Sequence, residues 1–489
     1  MSETVLTAHE EQTPEKLIKK PEFILYLAAI FFYTNMTGMV GSYRAAYLVN
    51  VLHLASNHVS FYNAFLSVSG FFLHFFIAMY IDSRKVGKSG KFRPLIAFAT
   101  IPMALFLVLT FYTPSFISGA LLMPWLLFIA TGFSVANMFA GTLNNVAWVM
   151  TPNMKERDNV MSFRSISSAV GNSAPLVIIL VIGLLIKTEG TQYIVCSCLC
   201  AAVGIATMLP GVKIVRERVA YSNEKKNPIV GFADVLKNKY AWTIILSEFL
   251  KSFRNISTYF GPFLAAALLG STSKYLLFGL PTGIGTAVGM LVINFLLKKF
   301  NSKVLYIASN IYSVIINTLA FIVGYIYFHH NTPVLQIVFI AFLFLIGLQF
   351  GASNLLPSMF QADVLESLEL ETGKRLDASL PFVIGIGTLI SGTIATALAP
   401  IIHYGSNPLL SVVHYIQPTD AIPNPVQSMH AKIAMLFFYT VFHGLMMFLG
   451  CIPFFFYKLT GKTKEDIHAR VLERRAEIEN AENGTENQV

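Results

Sequence analysis

The chain has 489 residues, of which 55% are hydrophobic and only 12% charged, and its mean hydropathy is +0.61. That is more apolar surface than a soluble core of this length can bury, which argues against a soluble enzyme. The formal net charge of +9 sits in alternate loops between apolar runs, the distribution of a membrane protein rather than of a nucleic-acid surface.

Residues 1–21 are polar, and the first apolar run is too long for the core of a signal peptide, so no cleaved leader is expected. Twelve apolar runs follow, each long enough to cross a ~30 Å hydrocarbon layer at 1.5 Å per residue. They cover 22–50, 57–81, 94–113, 118–148, 162–187, 192–211, 241–268, 275–297, 303–328, 334–360, 379–403 and 430–457. The longest internal polar stretch, 212–240, divides them into a six-helix half at 22–211 and another at 241–457. Residues 458–489 read as a solvated helix and tail. The fold class expected is an all-α membrane protein with twelve transmembrane helices in two six-helix halves, the layout of the major-facilitator fold.

Taken along the chain, the first run carries Asn35 and Arg44, the second His74, and the fourth Asn137, Asn144 and Asn145. The sixth carries Cys196, Cys198 and Cys200. Their two-residue spacing turns each about 200° from the last, so they make no metal face and fit as apolar filler. No zinc motif or disulfide framework is visible, and neither metal nor cofactor is expected. The tenth run adds Gln349 and Asn354. The amides suit a polyol, and each also suits a helix-packing contact. Gly261-Pro262 in run seven, and Gly283, Gly285 and Gly289 in run eight, let helices bend or approach closely.

Run seven reads LSEFLKSFRNI from Leu246 to Ile256. Counted from Tyr240, Glu248 lies roughly 12 Å and Arg254 roughly 21 Å into the layer, at mid-depth. Charge there costs several kcal/mol unless it meets a partner or a wet cavity, so it usually lines a pathway. Glu248 and Lys251, and Lys251 and Arg254, are each three apart and share a helix face. They read either as an ion pair that holds helices together or as a substrate and coupling site with Asn255 alongside. Glu248 is the one acid near mid-depth, against Lys251, Arg254 and Arg44. An anionic ligand would neutralise that surplus, and arginine can grip a carboxylate with two hydrogen bonds. Arg44, past the centre of its helix, alternatively reaches the outer surface. Glu248 is the candidate proton-coupling group, with His74 a second titratable residue on a membrane helix.

The basic residues fix an orientation. Of the 35 lysines and arginines, 29 fall in the N-terminus, the even loops and the tail. Three fall in the odd loops (Lys187, Lys274 and Lys432). By the positive-inside rule both termini are cytoplasmic.

Three loop motifs carry a family resemblance: DSRKVGKSGKFRP (Asp82 to Pro94), TPNMKERDNVMSFR (Thr151 to Arg164) and LPSMFQADVLESLELETGKRLDAS (Leu356 to Ser379). In this order and with twelve helices, the chain resembles the glycoside–pentoside–hexuronide:cation symporter family, the melibiose permease-like group of the major facilitator superfamily. The resemblance covers about residues 40–400 and implies symport of a sugar or sugar acid. It departs from the family on the second helix, where a pair of cation-binding carboxylates is replaced by Phe72, His74 and Phe76. Sodium prefers charged or carbonyl oxygens, so the coupling ion expected is H+ rather than Na+, with exchange and passive transport left open. The motifs also suggest a cytoplasmic gate. In it Asp82, Lys91, Arg93, Arg157 and Arg164 of one half would exchange ion pairs with Asp363, Glu366, Glu369, Glu371, Lys374 and Arg375 of the other. Single exposed pairs are worth about 0–1 kcal/mol, so a network is needed.

The function expected is secondary transport of a small polar, anionic carbohydrate derivative, such as a glycoside or hexuronide, by a monomer in a bacterial inner membrane. Its partners are that substrate and membrane lipids, with no nucleic acid. A lipid or organic-anion carrier of the same fold is the alternative. An intramembrane enzyme is the reading from another class, and no H-E-x-x-H or Walker motif supports it. The fragment Gly351-Ala352-Ser353 has no convincing histidine partner.

Overall fold

The computed structural model describes residues 17–83, 87, 89–151, 154–218, 231–373, 376, 379–407, 409–419, 422, 425–471 and 473. Among the described residues there is no β-strand. Among those residues, eleven helices are long and apolar enough to cross a membrane. The chain divides into two compact units, residues 1–47 with 69–224, and residues 48–68 with 225–489.

In the first unit lie α1 (Lys20–Ala46), the later part of α2 (Ser56–Ser83), α3 (Arg93–Thr110), α4 (Leu122–Ala140), α5 (Leu143–Val149), α6 (Met154–Leu185) and α7 (Glu189–Ile214). The fourth run, expected to be continuous, breaks between α4 and α5 at Gly141-Thr142. A Cβ at Gly141 would meet the Tyr33 hydroxyl at 2.8 Å. α1 lies against α6 and α7 through small residues, with Gly38 facing the Asn172 backbone and Gly171 facing Phe31 and Thr34. In lipid, such close packing replaces the hydrophobic drive that water supplies elsewhere.

Three glutamates tie the polar ends of this unit together. Glu217 accepts the backbone N–H groups of Lys91, Phe92 and Arg93, at 2.7, 3.0 and 3.0 Å, at the start of α3. A carboxylate there meets orphan donors and the positive end of the helix dipole. Gly90, at φ +88, lets the chain turn against it. Glu22, 4% exposed, pairs with Arg218 at 2.7 Å and also accepts the Arg216 N–H. Glu156 accepts the Ile18 N–H and the Thr151 hydroxyl.

The second unit holds α8 (Phe232–Lys237), α9 (Lys239–Lys251), α10 (Asn255–Leu269), α11 (Leu276–Leu296), α12 (Ser302–His330), α13 (Pro333–Thr372), α14 (Ser379–Tyr404), α15 (Met429–Tyr439) and α16 (Val441–Phe455). α13 extends twelve residues past the expected end, so the third loop motif is largely helical. The seventh run is not one helix. A 3-10 turn, Ser252–Arg254, separates α9 from α10. Ser252 Oγ bonds back to the Glu248 carbonyl oxygen at 2.8 Å, a contact that competes with regular helix and tightens the turn.

α11 and α13 meet backbone to backbone. A Cβ at Gly285 would run into the Phe344 carbonyl, at Gly289 into that of Leu348, at Gly347 into that of Thr282, and at Gly351 into the Met290 nitrogen. Gly283, on the same helix, faces open space. Two apolar cores flank the middle of the unit. One is built on Phe260, Phe263, Phe278, Phe339 and Leu436, the other on Ile244, Tyr306, Leu356, Phe360 and Phe454. Between them along α9 and α10 lie Ser247, Glu248, Lys251 and Arg254.

Candidate functional site

The charges of the seventh run sit where α9 gives way to the 3-10 turn. Lys251 is 5% exposed, and its ammonium donates to Glu248 Oε1 at 2.6 Å. The expected i,i+3 pair is therefore present. Its burial is made possible by Gly450, where a Cβ would stand 3.0 Å from both Lys251 Cβ and the Ser247 carbonyl oxygen. Ser247 in turn lies 3.3 Å from the Tyr306 hydroxyl. The polar layer continues through Gln349, which donates to Ser353 at 2.6 Å and to Asn310 at 3.5 Å.

Arg254, one turn further on, is half-buried and makes no ion pair with any described residue. It borders a cavity of about 290 Å³ within the second unit. The polar lining is Ser257, Thr258, Thr282, Thr286 and His443, and Tyr275, Phe350 and Tyr439 supply aromatic faces. Ser257 Oγ and His443 Nε2 are buried without a hydrogen-bond partner among the described residues. The His443 ring stands 5.1 Å from that of Phe350. Arg254 feels the charge of Glu248 without pairing with it, and the same cavity holds polar atoms with no partner among the described residues, an arrangement that is costly in a membrane interior.

The other expected site residues scatter. Asn255 is exposed and lies outside the cavity lining, because the 3-10 turn rotates it away from Arg254. Asn35 is 1% exposed, and both its amide atoms lack a partner among the described residues. Asn137 accepts from the Tyr33 hydroxyl at 2.9 Å, a packing contact. Arg44 is half-buried on α1 in the first unit. His74 is exposed on α2 between exposed Phe72 and Phe76.

Five of the residues expected in a gate have partners within their own units. Arg93 donates to the Val212 and Lys213 carbonyl oxygens, and Arg164 to that of Asn144 at 2.9 Å. Asp363 pairs with Lys464 at 2.7 Å, and Glu366 with His468 at 3.1 Å. Glu371 accepts from the Asn238 amide at 3.0 Å. The C-terminal segment, helical over 462–471, is thus a partner of the α13 acids rather than a free tail. Asp82 and Arg157 are helical, but their side chains, like Lys374 and Arg375 entirely, lie outside the described residues.

Sequence reasoning missed Ser257, Thr282, Thr286 and His443. The signal was available in part: Thr282 and Thr286 are an i,i+4 hydroxyl pair inside an apolar run.

The profile of a family described as MFS/sugar transport protein matches residues 25–461. An uncharacterized symporter of Bacillus subtilis, YjmB, is 26% identical over 411 residues, covering 80% of this chain and 81% of that protein. An Escherichia coli protein named, provisionally, as a 2,3-dihydroxypropane-1-sulfonate exporter is 30% identical over 151 residues, 30% of this chain and 28% of its own length. Among solved structures, the xylose transporter XylE from E. coli in an inward-open conformation aligns with a TM-score of 0.59 at 13% identity. That alignment covers 92% of this chain and 98% of XylE.

Proposed function

The chain belongs to the MFS/sugar transport protein family, and on that premise we propose that this multi-pass membrane transporter carries a small anionic carbohydrate derivative, such as a hexuronide or another sugar acid. The observation that carries the reading is Arg254, a cation with no described ion-pair partner at a cavity edged by hydroxyls. Alternating access would bring the substrate's acid group to it, and a guanidinium can hold a carboxylate or sulfonate through two N–H donors. The local similarity to a named sulfonate exporter supports the same chemistry. Transport, not catalysis, is the activity of this family.

Glu248 is the proposed proton carrier, with H+ rather than Na+ as the coupling ion. Lys251 holds its carboxylate at 2.6 Å. An arriving anion attracts the same ammonium and frees the carboxylate to take a proton. Accumulation driven by a pH gradient should fall at least tenfold in Glu248→Gln, and full accumulation by that variant rules the role out. The excess of lysine and arginine in the N-terminus, the even loops and the tail supports an orientation with both termini in the cytoplasm.

The direct test of the substrate reading is ligand-induced thermal stabilisation of the purified protein with neutral glycosides, hexuronates and sulfonates, repeated with Arg254→Gln. Losing a charged, buried donor pair costs about 2–5 kcal/mol, a drop of roughly 30-fold or more in affinity. The expected result is stabilisation by the acids alone, lost in the variant. Stabilisation by neutral glycosides, unchanged in the variant, overturns the anion reading.

A further inference from the structure

We infer that Thr282 and Thr286 of α11, with Ser257 of α10, give the Arg254 cavity a hydroxyl-reading lining, which selects a polyhydroxylated anion over a plain organic acid. The inference rests on the reading that Arg254 takes the acid group, and adds what holds the rest of the molecule.

The argument is a count of hydrogens. Thr282 Oγ1 donates its one hydrogen to the Phe278 carbonyl oxygen at 2.7 Å, and Thr286 Oγ1 donates to that of Thr282 at 2.8 Å. Both threonines line the cavity, and the donors of their hydroxyls are already spent. Toward a guest they offer lone pairs only. Arg254 is the reverse, with five N–H donors and no acceptor. Ser257 Oγ has no partner among the described residues and can serve in either sense. Among the lining residues, Arg254 therefore asks for an acceptor and the two threonines for donors. A carboxylate or sulfonate supplies the first, and a row of substrate O–H groups supplies the second. A chain of CH2 groups would leave the threonine oxygens facing apolar surface.

Scale agrees. The two threonines are four residues apart, ~6 Å along the helix axis, about the reach of one sugar ring. The volume of about 290 Å³ holds roughly ten waters at ~30 Å³ each. Phe350 and Tyr439 border the same space and can cover the C–H face of a ring. Gly283, between the threonines, keeps the lining open, since nothing lies within 4 Å of the place a Cβ would take.

The probes are glucuronate and cyclohexanecarboxylate, which share a six-membered ring and one negative charge but differ in hydroxyls. Binding is measured by calorimetry on the purified full-length protein. The wild type is expected to bind glucuronate at least tenfold more tightly. Replacing two neutral hydrogen bonds, at about 1 kcal/mol each, corresponds to a loss of roughly 30-fold. The Thr282→Val/Thr286→Val protein should therefore lose about that factor for glucuronate and almost none for cyclohexanecarboxylate. Ser257→Ala removes a hydroxyl that holds nothing in the fold, and should lose about fivefold for glucuronate alone.

Equal losses for both probes would assign these residues a structural role and overturn the inference. So would unchanged glucuronate binding in all variants, or a wild type that binds neither probe or prefers the unhydroxylated acid. A threonine effect that persists while Arg254→Gln binds normally keeps the hydroxyl lining and removes the anion reading instead.

Discussion

Lys251→Met is expected to destabilise the protein by roughly 3–5 kcal/mol, the cost of removing one member of a buried ion pair. The ammonium is 5% exposed, and its 2.6 Å contact with Glu248 is the carboxylate's one ion pair among the described residues. Methionine fills the same channel beside Gly450 but gives the carboxylate nothing. Adding Glu248→Gln to Lys251→Met should restore most of the loss, because two neutral side chains of similar shape need no counter-charge. The measurement is thermal unfolding in detergent. A single variant as stable as the wild type would mean that Glu248 is held by water instead. The double variant then separates structure from coupling, since it should fold well yet lose pH-driven accumulation.

Gly285→Val should be more damaging, at more than about 3 kcal/mol, with little folded protein recovered. A Cβ there runs into the Phe344 carbonyl, and α11 and α13 touch again at Gly289, Gly347 and Gly351. Overpacking against a flexible side chain can relax, but two helix backbones clamped at four glycines have no rotamer to change. Gly283→Val is the internal control. Its added methyls enter the cavity, so folding should persist while ligand-induced stabilisation disappears. Equal expression and stability for both variants would show that the helices separate easily, and would weaken the account of how the cavity is held open.

Much of the fold was legible because the bilayer imposes its length on every span. The runs starting at 22, 94, 192, 303 and 379 match helices within a few residues. The break at Ser252 was not legible, because apolar content does not report a local change from regular to 3-10 helix. At the site, Glu248 with Lys251 followed from helical spacing, and Arg254 from the rarity of mid-membrane charge. Thr282 and Thr286 did not stand out, since a hydroxyl bonded to its own helix is common in membranes. Only the packing of the neighbouring helices shows that both threonines border a cavity. The α11 glycines were noticed as a group, yet Gly285 and Gly289 meet a helix while Gly283 meets a cavity. Spacing gives the face of a helix, not what lies opposite. Likewise the acids Asp363 and Glu366 were expected to face the other half, and nothing in composition said that Lys464 and His468 of the tail would take them.

The three-residue turn between α9 and α10 has a mechanical meaning. It joins a 13-residue arm to a 15-residue arm, lengths of ~20 and ~22 Å at 1.5 Å per residue. Regular helix is stiff along its axis, so strain applied to either end of this span concentrates in the turn. The turn is bordered by Lys251 and contains Arg254. The compliant element of the span and its electrostatic element are the same few residues. A guest held by Arg254, as proposed, would act on the turn itself, with no intervening relay. The backbone amides of Ser252 to Asn255 are where a change in exchange with heavy water on substrate binding should be largest.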